Sequence, residues 1–243
     1  MLEVRDLTIR YGKKCICENL SFSLAEESIT GLVAPNGYGK TSLMLAIGGV
    51  GSNRVGTCLA DGVRRRTSPA RYRRMVLYLS DSGRILQPEL TVREHLEMTI
   101  ACWDSGYAWE EVAAACGVLS FCDVTARRLS QGMAQLASLS VAYASGAQYL
   151  LFDEPLNGLD QTNISVFTRA VCTLRDRGAG ILLSSHYLEG LDALCDSVFF
   201  LREGSLYETD IDDQRGCVDL YRQLYETKTE GGLRLMPTDG LRR

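Results

Sequence analysis

The sequence contains no long hydrophobic run and few histidines. Its 243 residues include no stretch of 18 consecutive apolar residues, so no segment is typical of a membrane-spanning helix. The first residues, MLEVRDL, lack the pattern of a secretory signal. Only two histidines occur, His95 and His186, which excludes a histidine-rich metal site. We therefore expect a soluble, cytosolic protein.

Cysteine pairs and an excess of basic charge are also missing. The nine cysteines are scattered and include no CxxC pair, and an odd number cannot form a complete disulfide set. This pattern predicts reduced thiols, not a zinc site or a disulfide framework. The formal net charge of −4 argues against a partner such as nucleic acid that is bound through overall charge.

What the chain does contain is a phosphate-binding pattern within Gly31–Leu43. Ile29–Val33 is an apolar run of strand length, and Leu43–Ile47 is an apolar run of good helix formers that ends at Gly48. Between them, GYGKT (residues 37–41) matches the second half of the P-loop. Strand, loop, Lys-Thr and helix follow in the order that this motif requires. The stretch therefore predicts a site for the phosphates of a nucleotide.

The residue types of this loop suit phosphate for physical reasons. Backbone N–H groups that glycine leaves accessible can surround an anion, and the helix that follows adds the positive end of its dipole. Lys40 is expected to contact the β- and γ-phosphates, and the Thr41 hydroxyl to bind Mg²⁺. Ala34 replaces the first glycine of the pattern, which is tolerable only if its φ is negative.

A buried strand followed by two acids lies downstream. Tyr149–Phe152 is apolar and leads into Asp153 and Glu154. Adjacent carboxylates after an apolar strand are unfavourable unless they bind a cation and a water. Upstream, Ser130 suits a helix N-cap, and Gly132 in the same helix start gives a second potential phosphate site.

The alternation of strand and helix patterns predicts an α/β fold. We expect a P-loop NTPase core with a mostly parallel sheet, an N-terminal antiparallel β subdomain and a helical insert at about residues 82–128. His95, in the insert, is interpreted as a surface or core residue. Predicted strand pairs cover Leu2–Leu24 and Val198–Tyr207. The main predicted helices are Val92–Ile100, Trp109–Cys116, Ala134–Ala144 and Thr162–Arg175.

Five sequence features follow one another along the chain: Tyr11, the P-loop, LSQGM, LLFDEP with NGLD, and SSH. With this ordered set the chain resembles the ATP-binding subunits of ABC transporters over about residues 2–210. The resemblance implies an ABC ATPase domain at 1–210 that binds ATP and Mg²⁺. The tail, 211–243, is expected either to pack on this domain or to contact a partner, and packing is favoured.

The resemblance also implies roles for residues. Glu154 is implied to act as general base on the attacking water, and His186 to contact the γ-phosphate. Mg²⁺ is implied to be bound by Thr41, Asp153 and Asp81, and Asp81 stands where the family usually has glutamine. The implied ATP contacts, with Tyr11 stacking on adenine, are Tyr11, Asn36, Gly37, Tyr38, Gly39, Lys40, Thr41, Ser42, Asp81, Ser130, Gly132 and Asp160.

Proteins of this kind work as dimers with two ATP molecules between the subunits. Ser130 and Gly132 are implied to cap the ATP of the partner, and Asp160 to help join the two sites. The implied partners are a second ABC ATPase subunit, in a homodimer or heterodimer, and transmembrane permease subunits. This arrangement implies a peripheral location at the cytoplasmic face of the cell membrane.

The segments LTVREHL, LSQGM and SSHYLEGLDALCDSVFFLREGSLYE look most like the ATPases of ABC-2-type exporters of drugs, peptides or polysaccharide. The short insert gives an alternative, the haem exporter ATPase of cytochrome c maturation. A second alternative is a regulatory or non-transport ABC ATPase that hydrolyses weakly. This alternative rests on positions that depart from the family's pattern and could slow hydrolysis: Asp81, and the residues Ala134, Leu136 and Ala137, which replace polar residues after LSQGM.

Overall fold

Ten strands form two sheets in the computed structural model, which describes residues 1–12, 14–50, 54–80, 85–210 and 216–226. The strands are β1 (Leu2–Tyr11), β2 (Lys14–Leu24), β3 (Ser28–Val33), β4 (Arg54–Ala60), β5 (Val63–Arg64), β6 (Val76–Leu79), β7 (Tyr149–Asp153), β8 (Gly180–Ser184), β9 (Ser197–Arg202) and β10 (Ser205–Asp210). The helices are α1 (Lys40–Ile47), α2 (Pro69–Met75), α3 (Val92–Trp103), α4 (Trp109–Ala115), α5 (Gln131–Ser145), α6 (Gln161–Asp176), α7 (Leu188–Asp192) and α8 (Cys217–Tyr221). Short 3-10 turns occur at Leu119–Phe121 and Ala126–Arg128, and a π-helical turn at Arg222–Glu226.

The larger sheet has the strand order β10-β9-β3-β8-β7-β6. Its pairs are parallel except for the β9–β10 hairpin, which confirms the predicted, mostly parallel core. Strands β3, β7 and β8 are buried because apolar clusters cover both faces of the sheet. Their carboxyl ends lie side by side, so the loops that follow them are brought together.

The smaller sheet is antiparallel, in the order β2-β1-β4-β5. The predicted N-terminal strand pair is confirmed: Leu2 pairs with Leu24, and Tyr11 with Lys14. This sheet packs on the core through one apolar cluster that includes Leu7 and Leu43. Helix α1, and with it the loop before α1, is therefore held between the two sheets.

The described part of the helical insert, residues 85–128, contains α3 and α4. Thr91 caps α3: its hydroxyl accepts a hydrogen bond from the Glu94 N–H, and the Glu94 carboxylate accepts one from the Thr91 N–H. The helix continues past the predicted Ile100 to Trp103. His95 is buried, with Nε2 accepting from the Gln87 N–H and Nδ1 donating to the Thr91 carbonyl, each at 2.7 Å. Of the two interpretations offered for His95, a surface or a core residue, the structure shows the core one.

Other element boundaries differ from prediction by one to three residues. Helix α5 begins at Gln131 instead of Ala134 because Ser130 caps it. Helix α6 extends the predicted Thr162–Arg175 by one residue at each end. The predicted hairpin at Val198–Tyr207 is confirmed as β9 and β10.

Residues 216–226, the described part of the tail, pack on the rest of the domain, as expected. Cys217, Leu220 and Leu224 are buried in its larger apolar cluster. The rest of the tail lies outside the described residues. Within the described ranges, none of the helices is both long and apolar enough to cross a membrane.

Candidate active site

The loops that follow β3, β7 and β8 meet at one edge of the core sheet. Strand β3 leads into the P-loop (residues 34–39), and β8 leads toward His186. Strand β7 ends at Asp153, which lies opposite Ser184 in the parallel register, and Glu154 follows. The phosphate-binding loop and both acids that the sequence predicts therefore occupy one site.

The P-loop has the backbone that its glycines permit. Gly37 and Gly39 are left-handed, with φ of 82° and 107°, whereas Ala34 is not, so the condition on Ala34 is met. A Cβ at Gly39 would lie 2.3 Å from the Ile16 side chain, so only glycine fits there. Helix α1 begins directly after Gly39 and has no acid in its first turn. Its positive N-terminal end is therefore left to attract an anion.

Lys40 folds back across the loop. Its side chain is buried, and Nζ donates a hydrogen bond to the Ala34 carbonyl at 2.8 Å. Nζ also lies 3.4 Å from Oε1 of Glu154. The ammonium group of Lys40, at the start of α1, thus joins the end of the loop to Ala34 at its beginning. It also places a positive charge next to Glu154, which follows β7.

Asp153 is a buried carboxylate, 4% exposed, held by two hydroxyl groups. The Ser184 hydroxyl donates to Oδ1 at 2.7 Å, and the Tyr78 hydroxyl donates to Oδ2 at 3.1 Å. Burial and the charge of Asp153 both raise the pKa of Tyr78, so the phenol keeps its proton and remains a donor. The carboxylate is fixed in orientation before any ligand binds.

Glu154 occupies a strained backbone conformation. Its φ is 52°, in the left-handed region that costs a non-glycine residue roughly 1–2 kcal/mol. Its N–H donates to the Ser184 hydroxyl at 2.9 Å, and Oε2 accepts from His186 through Nδ1 at 2.8 Å and through the backbone N–H at 3.2 Å. Lys40 lies at the other carboxylate oxygen, Oε1, so the two oxygens of Glu154 are held by Lys40 and by His186 beside the P-loop.

The donor set suits Mg²⁺. Asp153 supplies one buried carboxylate, and Thr41 supplies a hydroxyl in the first turn of α1. Across the described ranges, the structure contains no group of three or more acidic, cysteine or histidine residues that would enclose an ion. Mg²⁺ commonly takes one or two protein oxygens and completes its shell with waters and phosphate, so this sparse set fits it.

An open space lies beside the P-loop. A cavity of about 430 Å³ is lined by residues of β2, the P-loop and the β9–β10 turn, among them Ile16, Tyr38 and Gly204. Tyr11 lies at the end of β1, and its side chain is 46% exposed. An exposed aromatic face of this kind is available to stack on a base.

Ser130, Gly132 and Asp160 form a second group, around the start of α5. The Ser130 hydroxyl accepts from the Met133 N–H at 3.3 Å, and Asp160 caps α6 by accepting from the Asn163 N–H at 2.8 Å. A Cβ at Gly132 would lie 3.4 Å from the Gly158 carbonyl. These three predicted residues are therefore grouped with the turn before α6.

The remaining predicted site residues differ in how exposed they are. Asn36, Gly37 and Tyr38 are exposed on the P-loop, and Ser42 is half-buried in α1. Asp81 lies outside the described residues.

Sequence reasoning missed two residues that support Asp153. Tyr78 lies in an apolar run and Ser184 ends another, so each looks like an ordinary strand residue. Only the order β8-β7-β6 reveals their role, because it places both strands beside β7. The one available signal was the polar hydroxyl of Ser184 directly before Ser185 and His186.

A parallel sheet with a P-loop after one strand and paired acids after a near neighbour defines a P-loop nucleotide hydrolase. A family model described as "ABC transporter" matches residues 17–157 of the chain. The chain belongs to the ABC transporter family.

Comparison with characterised proteins agrees with this assignment. ABC-type transporter ATP-binding protein EcsA of Bacillus subtilis is 29% identical over 213 residues, which cover 85% of each chain. Nod factor export ATP-binding protein I of Bradyrhizobium diazoefficiens is 32% identical over 226 residues, covering 87% of this chain and 72% of that protein. A solved ATP-binding subunit of an ABC transporter superposes with a TM-score of 0.83 at 27% identity, covering 92% of this chain and 99% of that one.

The dimeric cassette solved in a post-hydrolysis state with ADP and Pi shares the fold, with a TM-score of 0.77 at 18% identity. The family match and these relatives make the chain an ATP-binding subunit of the ABC transporter family. The alternatives of a haem exporter ATPase and of a weakly hydrolysing or non-transport ATPase are not favoured.

Proposed function

We propose that this chain hydrolyses Mg·ATP at the site formed by the P-loop and the β7 acids, and that it powers a separate exporter permease from the cytoplasmic face of the membrane. The observation that supports the proposal most strongly is the convergence of Lys40, Asp153 and Glu154. Lys40 lies 3.4 Å from Glu154, and Asp153 is held one residue away. This proximity supports the proposed roles of Lys40 as a cation, Asp153 as a metal ligand and Glu154 as a base.

In this proposal the residues act by positioning and charge, as phosphoryl transfer requires. Backbone N–H groups of Gly37 and Gly39 surround the β-phosphate, and Lys40 turns from the Ala34 carbonyl toward the β- and γ-phosphates. Thr41 and Asp153 would hold Mg²⁺, which would neutralise charge on the phosphate oxygens when bound. Tyr11 stacks on the adenine.

Glu154 acts as general base in this proposal. A water placed against its carboxylate loses a proton to it as the water oxygen bonds to the γ-phosphorus. The bond from the γ-phosphorus to the bridging oxygen breaks in the same step, and ADP leaves with that electron pair. His186, bonded to Oε2 of Glu154 at 2.8 Å, holds the carboxylate and directs its exposed ring toward the γ-phosphate. The strained φ of Glu154 sets the direction of its side chain.

We also propose that a second subunit completes each site. Ser130 and Gly132 start the helix α5, which offers its N-terminal backbone to the ATP of the partner. Asp160, as cap of α6, fixes the turn on which Gly132 rests. ATP then holds the dimer together, and hydrolysis releases it.

The direction and the class of transporter rest on the relatives. Similar proteins are named for Nod factor export, linearmycin resistance and lantibiotic transport. We therefore assign the chain to exporters of the ABC-2 type. The proposed division is an ATPase domain at 1–210, with the permease docking beside the insert at about 82–128, and a tail at 211–243.

The proposal is tested by turnover of the Glu154→Gln variant. Glutamine keeps the shape and one hydrogen-bond acceptor but cannot take a proton, so we expect ATP binding within about twofold of wild type and turnover lower by about 10²–10⁴-fold. Glu111→Gln is the matched control, because it loses a surface ion pair with Arg177 at 2.8 Å, away from the site. Equal turnover in wild type and Glu154→Gln would remove Glu154 from the role of base.

A further inference from the structure

The P-loop contacts a residue far along the chain, in the C-terminal segment 216–226. The Tyr225 hydroxyl donates a hydrogen bond to the Leu201 carbonyl at 2.9 Å and lies 3.4 Å from the Val33 carbonyl. Val33 is the last residue of β3, directly before the P-loop. Tyr225 therefore joins β9 to the strand end from which the phosphate-binding loop starts.

The ring of Tyr225 also meets the loop itself. It packs edge-on against the ring of Tyr38, with centroids 5.8 Å apart and planes at 87°. Tyr38 lies between Gly37 and Gly39, the two left-handed glycines of the P-loop. Aromatic pairs in this arrangement attract one another beyond the area that they bury.

The segment that carries Tyr225 is anchored independently. The Cys217 N–H donates to the Asp192 carboxylate at 2.7 Å, and Cys217 and Leu224 are buried. The ring of Tyr221 lies 4.8 Å from that of Tyr225. Burial, together with the neighbouring tyrosines, raises the pKa of Tyr225, so its hydroxyl stays a donor. Tyr225 is thus presented to the loop by a fixed support.

These contacts address a physical weakness of the loop. Two glycines with positive φ give the backbone the shape that phosphate needs, but they also make the loop costly to order. Lys40 restrains the loop from within through Ala34, and Ile16 lies against Gly39 from β2. Tyr225 restrains the loop from outside, from the C-terminal segment 216–226.

We propose that Tyr225 is a positioning residue for ATP binding: it orders the P-loop through the Val33 carbonyl and the Tyr38 ring. The C-terminal segment is then part of the support of the nucleotide site. This inference rests on the proposed role of the P-loop in binding ATP. It does not depend on Glu154 or on the permease.

The test measures the Kd for ATP, together with KM and kcat, for Tyr225→Phe and Tyr225→Leu. Phenylalanine keeps the ring contact and loses the hydrogen bond, so the Kd and KM for ATP are expected to rise about 2- to 5-fold. Leucine loses both contacts, so they are expected to rise about 5- to 30-fold. The kcat is expected to stay within about twofold, because Tyr225 acts only through the loop. Tyr221→Phe, on the same segment, is the matched control and should leave Kd, KM and kcat unchanged.

A double-mutant cycle shows whether the effect passes through the loop. In a Tyr38→Leu background, Tyr225→Leu is expected to raise the Kd much less than it does in wild type, because the ring pair is already gone. The same fold-change in both backgrounds would overturn the proposal, and so would an unchanged Kd in Tyr225→Leu. A kcat loss with an unchanged KM would also overturn it.

Lys40→Ala, measured alongside, separates this inference from the function beneath it. Lost ATP binding in Lys40→Ala with no effect at Tyr225 overturns the inference alone. Unchanged ATP binding in Lys40→Ala contradicts the proposed function of the P-loop itself. Thermal unfolding midpoints of Tyr225→Phe and Tyr221→Phe are expected to agree within a few degrees, and a selective unfolding of Tyr225→Phe would assign its effect to stability.

Discussion

At the scale of single residues, Ser184 connects the two acids of the site. Its hydroxyl donates to Asp153 and accepts from the backbone N–H of Glu154. The same group therefore fixes a buried carboxylate and stabilises the strained backbone of its neighbour. Such supporting hydrogen bonds orient metal ligands before the metal binds.

Gly39 is a position in the P-loop where an added side chain would clash. Its φ of 107° is unfavourable for any side chain, and an added Cβ would lie 2.3 Å from Ile16. We predict that Gly39→Ala weakens ATP binding by more than about 10-fold, because the loop must move away from β2 to relieve the clash.

Gly178 provides the control for this prediction. It has a similar φ of 104°, but a Cβ there would meet nothing within 4 Å. Gly178→Ala should cost roughly 1–2 kcal/mol of stability and leave the Kd for ATP unchanged. Similar Kd values for both variants, by calorimetric titration, would contradict the account of the P-loop.

At the scale of elements, the start of α5 is set by its cap. Ser130 caps the helix, and Gly132 in its first turn packs against the Gly158 turn. The N-terminus of α5 therefore has a fixed direction. The proposed contact with the ATP of a partner subunit requires this.

We predict that Ser130→Ala lowers the free energy of unfolding by about 1 kcal/mol and also weakens ATP-dependent dimerisation. The comparison is Thr91→Ala, which removes the cap of α3, another N-cap hydroxyl, in the helical insert. It should lose similar stability, measured by urea unfolding, without changing dimerisation. Equal dimerisation in the two variants would show that the Ser130 hydroxyl acts only as a cap.

Some helices and strands could be predicted from the sequence alone, and others could be predicted only in part. Strands such as β3 and β7 are continuous apolar runs, and α1 follows the P-loop directly, so local patterns predicted them. The predicted Ala134–Ala144 omits the first turn of α5, although Ser130 is recognised as a suitable N-cap, because the helix-forming apolar pattern begins only at Ala134. Residues whose role depends on neighbours far away in sequence, such as Tyr78 and Tyr225, could not be found locally.

At the scale of the whole molecule, the two sheets and the order of the core strands account for the site. The sequence correctly predicted an antiparallel N-terminal subdomain and a mostly parallel core. Strand order places β7 and β8 next to each other, and this brings Asp153, Glu154 and His186 together. The order itself follows from packing, which a single sequence does not display.

In the proposed function, ATP binds to this site, and a second subunit completes the site. The most direct measurement is the mass in solution of the Glu154→Gln variant, by light scattering, with Mg·ATP and with Mg·ADP. Because this variant does not consume its bound ATP, we predict that the mass doubles with ATP and not with ADP. A variant that binds ATP yet keeps the same mass with either nucleotide would contradict it.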